Sequence, residues 1–303
     1  MIVVTGGLGF IGNELVRQLQ AAGEEVAVID NENRVAPHLE DLQTVPVYKI
    51  DITDALKINE VIAMLKPQRI YHLAAIHYIP ECNEFPERTI RVNVEGTLSL
   101  LNAAIKHQCE HFIMASTGAV YGDSPKQLTE EDVIAPVDIY GLSKWFAEDL
   151  CRSKSAEIQI TICRLFNNIG LRETNAHIVP EIIKQLKSGT RLLQLGNTST
   201  IRDYISTKDT AYALIQLGIR KGLYDVFNLA TGKGASVNEL IDLMAHLLGE
   251  KISIETDPAR FRKADKEVQL ADISKLKQAL NWQPQQSFKE VIADVMRFEG
   301  LIK

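Results

Sequence analysis

The sequence predicts a doubly wound α/β fold: a parallel sheet covered by helices on both faces, with a smaller α/β lobe behind it. Short β-branched runs alternate with amphipathic stretches through about the first 165 residues, the pattern of strand–helix–strand units. A glycine-rich turn follows the first of those runs directly, and after Leu165 the pattern changes to shorter strands and helices. At 303 residues the chain exceeds one minimal core and suits a sheet domain with an appended lobe.

Taken in order, Ile2 to Thr5 is an unbroken run of the kind that buries both faces of a strand. A helix over Ile11 to Ala22 follows, and Gly23 stands where a left-handed cap belongs. Further strands are expected at Glu25 to Asp30, Val45 to Ile50, Arg69 to Ala74, His111 to Ser116 and Gln159 to Leu165. The helices between them are Ile58 to Lys66, stopped by Pro67, then Thr89 to Lys106 and Tyr140 to Lys154. In the lobe the helical stretches are Ile178 to Lys187, with Pro180 in its first turn, Asp209 to Ile219, Val237 to Leu248 and Ser287 to Glu299. The expected division is 1–165, with part of 200–225 returning to the sheet, and 166–303.

Composition narrows the function. Apolar residues at 46% and charged residues at 24% are the balance of an ordinary globular chain. A net charge of −6, a pI near 5.7 and no run of Lys and Arg leave no footprint for nucleic acid. Cys82, Cys109, Cys151 and Cys163 show no C-x-x-C spacing, so they read as buried thiols of a reducing compartment, the cytoplasm, with no metal-ligand set. No apolar stretch approaches ~18 residues and no basic-flanked leader opens the chain, so neither a membrane span nor an export signal is expected.

Thr5-Gly6-Gly7-Leu8-Gly9-Phe10-Ile11-Gly12 lies between a strand and a helix, and Gly7-x-Gly9-x-x-Gly12 fits the dinucleotide fingerprint. Glycine suits this turn because the backbone must bend tightly and approach a pyrophosphate with no Cβ in the way. The helix start then supplies N–H groups and partial positive charge. Asp30 falls 18 residues after Gly12, at the end of the second strand, where a carboxylate accepts both ribose hydroxyls. That charge, with Glu32 nearby, repels a 2′-phosphate and favours NAD over NADP; Arg34 is the one cation close by.

Tyr140-Gly141-Leu142-Ser143-Lys144 sets a phenol and an ammonium four residues apart, one helical turn, on one face. A phenol with pKa of about 10 is expected to fall toward working pH beside an ammonium and a cationic nicotinamide. Tyr140 would then exchange a hydroxyl proton while hydride moves to or from the cofactor. Ser116-Thr117 ends the fifth strand at the carboxyl edge of the sheet, where ligands of such sheets bind, and Thr117 can hydrogen-bond the same hydroxyl.

With these motifs the chain resembles the extended short-chain dehydrogenases/reductases of the nucleotide-sugar epimerase/dehydratase family over nearly its whole length. The matching stretches are Thr5 to Gly12, Asp51-Ile52, His72 to Ala75, Asn93 to Thr97, Ser116-Thr117, Tyr140 to Lys144 and Arg164 to Asn167. The resemblance implies cofactor contacts at Gly6, Gly9, Phe10, Ile11, Gly12, Asp30, Asn31, Asp51, Ile52, Leu73, Ala74, Ala75, Asn93 and Ser116. Thr117, Tyr140 and Lys144 would carry the chemistry. It also implies a homodimer built on the helices Thr89 to Lys106 and Tyr140 to Lys154.

Departures from the family pattern point to the reaction. Where 4,6-dehydratases carry an Asp–Glu pair after the strand-end Thr, this chain has Gly118 and Ala119, and neither the Glu of the decarboxylases nor the Cys of the 3,5-epimerases is present in that turn. What remains suffices for 4-epimerisation: oxidation of the sugar 4-hydroxyl, rotation of the keto sugar and return of hydride to its other face. The same residues also serve a 4-ketoreductase or dehydrogenase with net redox change, and a non-catalytic NAD sensor is the reading from another class. For the substrate, the resemblance implies a nucleotide-diphosphate sugar, UDP by family frequency. It sets Arg202 and Arg262 on the diphosphate, Asn167 and His177 beside it, Leu193 and Leu195 in the wall of the base pocket and His77 near the sugar. The connection 171–176 is shorter than in relatives, which leaves base and sugar open.

Overall fold

The computed structural model describes residues 1–261 and 266–303. The first half of the chain alternates strands and helices: β1 (Ile2–Thr5), α1 (Phe10–Ala21), β2 (Val26–Asp30), β3 (Val47–Lys49), α2 (Ala55–Leu65), β4 (Arg69–His72), α3 (Ile79–Glu84), α4 (Pro86–Ile90), α5 (Thr97–Lys106), β5 (His111–Thr117), α6 (Ile139–Ser153) and β6 (Gln159–Leu165). All residues of β1, β2 and β5 are buried, as strands covered on both faces must be. Expected and observed bounds coincide for β1 and β6. Helix α2 starts before its apolar stripe because the Asp54 side chain caps it, accepting the Lys57 N–H at 3.2 Å. Lys66 (φ 44°) takes the left-handed position ahead of Pro67, and Gly23 (φ 79°) does so after α1.

The single helix expected over Thr89 to Lys106 is instead α4, a π-helical turn at Arg91–Gly96, and α5. Periodicity of 3.6 does not reveal one extra residue in a turn. The extra residue lies in the segment that carries Asn93, beside the site.

After β6 come β7 (Asn167–Ile169), α7 (Ile178–Lys187), β8 (Leu192–Leu195), β9 (Ile201–Ser206), α8 (Thr207–Gly218), β10 (Tyr224–Leu229), β11 (Gly234–Ser236), α9 (Val237–Leu248), β12 (Ser253–Thr256), β13 (Val268–Gln269), α10 (Ser274–Leu280) and α11 (Phe288–Phe298). Strand β10 was not expected from the sequence; it pairs in parallel with β6 and completes a seven-stranded sheet ordered β10-β6-β5-β4-β1-β2-β3. Helix α8 packs with α1 on one face of that sheet, through Leu15, Leu19, Leu214 and Leu217. Helices α2, α5 and α6 cover the other face through Ile58, Ile62, Leu100, Leu101 and Ala147. In the lobe, β9 pairs with β7, β11 and β13, while β8 pairs with β12. A third core, with Ile182, Leu193, Leu240, Ile292 and Met296, lies under α7, α9 and α11. All four cysteines are buried free thiols. Among the described residues no helix is long and apolar enough to cross a membrane.

Two buried imidazoles make this packing sensitive to acid. His72 sits between the hydroxyls of Thr5 and Thr97, each at 2.8 Å, and His111 between the Gly218 carbonyl (3.0 Å) and Thr161 (2.8 Å). Burial pulls them down to about 3 and about 4. Both are therefore neutral in the fold and take up a proton near pH ~6.5 only when it opens. Folded values below the unfolded one mean that stability is lost as pH falls from ~6.5 toward about 4, by up to ~1.4 kcal/mol per pH unit for each. The thermal midpoint should drop by several degrees between pH 7 and pH 5, and less steeply in His111→Gln; an unchanged slope in that variant would refute the assignment.

Candidate active site

A cavity of about 550 Å³ follows the carboxyl ends of β1, β2, β4, β5 and β6 and continues between the sheet and the lobe. Its sheet end is built on the glycine turn. Gly6 has φ 70°, and a Cβ there would lie 2.8 Å from the Ala74 nitrogen; a Cβ at Gly12 would lie 2.0 Å from the Gly6 carbonyl oxygen. The first turn of α1 thus rests directly on the loop, and Gly6, Gly9, Phe10, Ile11 and Gly12 all line the cavity. Asp30, buried at the end of β2, accepts N–H bonds from Leu8 (3.1 Å) and Glu32 (2.9 Å). Burial raises its carboxyl, and those bonds work against the rise.

Asn31, Ile52, Leu73, Ala74, Ala75 and Ser116 also face the cavity. Two expected cofactor contacts do not. Asp51 is half-buried beside the cavity, accepting bonds from Thr53 (2.9 and 2.7 Å) and from the Asn31 amide at 3.2 Å. Asn93, fully buried in the π-helical turn, bonds both main-chain groups of Ile76 and the Ser143 hydroxyl at 2.8–2.9 Å. It ties the loop after β4 to α6. Glu32 is paired with Lys49 at 2.6 Å, and Arg34 is engaged by Glu81 and Asn175. The cation left open in the sequence is therefore committed within the protein.

Thr117, Tyr140 and Lys144 line the middle of the cavity. Asp138 caps α6 by accepting the Gly141 N–H at 2.7 Å, which fixes the turn that carries Tyr140. The Thr117 hydroxyl accepts the Ala119 N–H at 3.1 Å and lies near enough to the Tyr140 phenol to favour its ionised form. The expected lowering of that phenol is absent in the protein alone: burial raises it, and Thr117 offsets only part of the rise. Burial acts on the partner too, drawing the Lys144 ammonium down to about 8.

The lobe closes the far side. Asn167 and Arg202 line the cavity, and so does His177, which precedes α7 and bonds the buried Glu173. Leu193 does not: it shares the buried face of β8 with Leu195, and both pack in the lobe core, but only Leu195, nearer the end of the strand, also lines the cavity. Arg262 lies outside the described residues. His77 is not a solvated loop side chain; its Nε2 meets the Asn175 amide at 2.9 Å, and burial pulls it down to about 4. Sequence reading missed Asn175, Phe166, Lys266 and Gln269 as cavity residues. Asn175 bonds Arg34 and His77 from a loop with no periodicity to read. Lys266 stands in a run of charged residues that reads as solvated surface, yet its buried ammonium donates to the main-chain oxygens of Ala119 (3.4 Å) and Tyr121.

The sequence profile of the family described as GDP-mannose 4,6 dehydratase matches residues 3–295. The chain belongs to that family. It is 30% identical to UDP-glucose 4-epimerase 4 of Oryza sativa subsp. japonica, over 97% of this chain and 88% of that protein. Its structure resembles that of UDP-glucose 4-epimerase from Thermotoga maritima with UDP-glucose, at a TM-score of 0.90 and 28% identity over 98% and 97% of the two chains. The Thermus thermophilus UDP-glucose 4-epimerase complex with NAD matches at a TM-score of 0.90 and 27% identity over 99% and 98%.

The glycine turn forms the sheet end of the cavity and leaves its main chain open to it. A Cβ at Gly6 would collide with the Ala74 main chain and one at Gly12 with the Gly6 carbonyl, so any side chain there deforms the turn, and the buried Asp30 lines the same cavity from β2. Gly12→Val should leave the sheet intact and reduce the NAD released from purified protein at least tenfold. Wild-type NAD content in a folded variant would refute the cradle.

Proposed function

We propose that the chain is an NAD-dependent 4-epimerase of UDP-sugars, acting by transient oxidation at the sugar 4-position. The observation that carries it is the meeting of Thr117, Tyr140 and Lys144 at one cavity with the glycine cradle, and with no acid at positions 118 and 119. The names of the similar proteins supply UDP and NAD. An added Cβ at Gly118 would lie 3.1 Å from the Phe166 ring, so an aromatic edge fills the place where a dehydratase has its acid.

Bound NAD supplies a hydride acceptor for the 4-carbon and then a donor to its opposite face. Tyr140 takes the 4-hydroxyl proton and later returns it. Thr117 hydrogen-bonds the same oxygen and keeps the phenol aimed at it. Lys144 supplies positive charge beside Tyr140 and so favours, against burial, the phenolate that must be present before the hydroxyl proton can be taken. Arg202 and Asn167 hold the diphosphate end, with His177 beside them and His77 on the sugar side. A net oxidoreductase would need a reduced or oxidised cofactor supplied for every turnover; an epimerase does not.

Purified protein with UDP-galactose and no added cofactor should form UDP-glucose with no net change in NADH, read by NMR and absorbance. Tyr140→Phe should keep its NAD and lose at least ~10³-fold in kcat, and the wild-type kcat/KM should fall on the alkaline side as Lys144 loses its proton near the value of about 8. Retained turnover in Tyr140→Phe would remove Tyr140 from the proton step.

We further propose a homodimer on the outer faces of α5 and α6, where Phe146 is 40% exposed, in a reducing compartment that keeps the four thiols free. Phe146→Asp should convert a dimer to a monomer in sedimentation; a wild-type monomer would refute the interface.

A further inference from the structure

Beyond the residues that face the cavity, α6 carries one more buried charge. Tyr140, Lys144 and Glu148 recur at intervals of four along one stripe of this helix, with Lys144 2% and Glu148 3% exposed. The Glu148 carboxylate takes a two-pronged grip from Arg164 of β6: Nη2 donates to Oε2 at 2.7 Å, and Nε lies 3.1 and 3.2 Å from the two oxygens. The hydroxyl of Ser116, the residue next to Thr117 on β5, donates to the same carboxylate. The other side of Arg164 donates to the Tyr121 hydroxyl at 2.8 Å and to the Glu130 carbonyl at 3.2 Å, and the Tyr121 hydroxyl donates in turn to Asn228 Oδ1 of β10 at 2.7 Å. One ion pair therefore joins α6, β5, β6, β10 and the segment that leaves Thr117.

Neither Glu148 nor Arg164 lines the cavity. A buried pair of this kind is weak evidence for stability, because apolar replacements of similar volume are often neutral or stabilising, whereas removing one partner leaves an uncompensated buried charge. Its geometry has another consequence. Thr117 and Tyr140 sit on different elements, β5 and α6, and must stay within hydrogen-bonding reach of each other. The Ser116–Glu148–Arg164 contacts clamp those elements just behind the two reacting hydroxyls.

We propose that Glu148 and Arg164 are positioning residues for proton transfer: the pair fixes the Thr117 strand end against the Tyr140 helix and sets a carboxylate one turn beyond the Lys144 ammonium. This rests on Thr117, Tyr140 and Lys144 as the proton-transfer set. The groups facing Lys144 are Tyr140, Glu148 and Cys151 on its own helix, His72 and His77 from β4 and the loop after it, and the Ser116–Thr117 strand end. Glu148 is the carboxylate among them, and it opposes the burial that weakens the ammonium. Removing its charge should make Lys144 deprotonate at lower pH.

The test uses full-length protein loaded with NAD, assayed on UDP-galactose. Glu148→Gln should move the alkaline limb of kcat/KM toward acid by about one pH unit while NAD is retained. Since a lone Arg164 can unfold the chain, the deciding variant is the double replacement Glu148→Leu with Arg164→Met. It should fold, keep NAD and a thermal midpoint within a few degrees of wild type, lose about 100-fold in kcat with KM changed less than threefold, and shift the same limb. A folded, NAD-loaded double variant with wild-type kcat and an unmoved limb would overturn the proposal. So would a double variant that fails to fold, because the pair would then be a stability element. Turnover surviving in Tyr140→Phe would instead sink the proton-transfer set itself.

Discussion

Helix α6 lies against β5, and the site depends on that contact. A helix repeats a face every four residues and a strand ends at one edge of the sheet, so a single packing decision brings Tyr140 and Lys144 up to Thr117. The helix is fixed in turn by Asp138 at its start, by Asn93 bonding Ser143 in its first turns, and by Glu148 on Arg164 in its middle. Those three anchors come from its own cap, from the π-helical turn and from β6. The irregular turn before α5 is thus the geometry that lets Asn93 reach both Ile76 and Ser143.

Burial is what gives these groups their chemistry. It raises the Tyr140 phenol and weakens the Lys144 ammonium, so each alone is poorly suited to its charge. Drawn only to about 8, the Lys144 ammonium stands charged beside Tyr140 at neutral pH, before any proton moves. The neighbouring imidazoles, His72 and His77, are pulled low enough to stay neutral, so they do not compete for the hydroxyl proton.

Much of this was readable from the chain because it is local. The turn Thr5 to Gly12, Asp30 at the end of β2, Thr117 at the end of β5 and the Tyr140–Lys144 spacing each depend on a few consecutive residues and a known period. What escaped depends on contacts between distant segments. Strand β10 carries Asp225 and Asn228 among its apolar residues, and only pairing with β6 makes it a strand. Asp51 is next to a true wall residue, Ile52, but spends its lone pairs on Thr53 and Asn31. Leu193 and Leu195 differ by no sequence property and share one face of β8; position along the strand decides which of them reaches the cavity. Asn175 and Lys266 belong to segments without periodicity, and their partners lie more than a hundred residues away in several cases.

The turn after Thr117 finally limits what the assembled groups can do. Elimination of water needs an acid to protonate the leaving hydroxyl and a base to remove a proton from carbon. At positions 118 and 119 this chain offers a glycine pressed toward the Phe166 ring and an alanine whose carbonyl is held by Lys266. Neither supplies a proton. The same tight packing explains why the position is not easily changed: a larger side chain at 118 must displace Phe166, which is buried against the ring of Tyr121, the residue that links Arg164 to Asn228. The wall that withholds the second acid is therefore continuous with the clamp that holds the first proton acceptor in place.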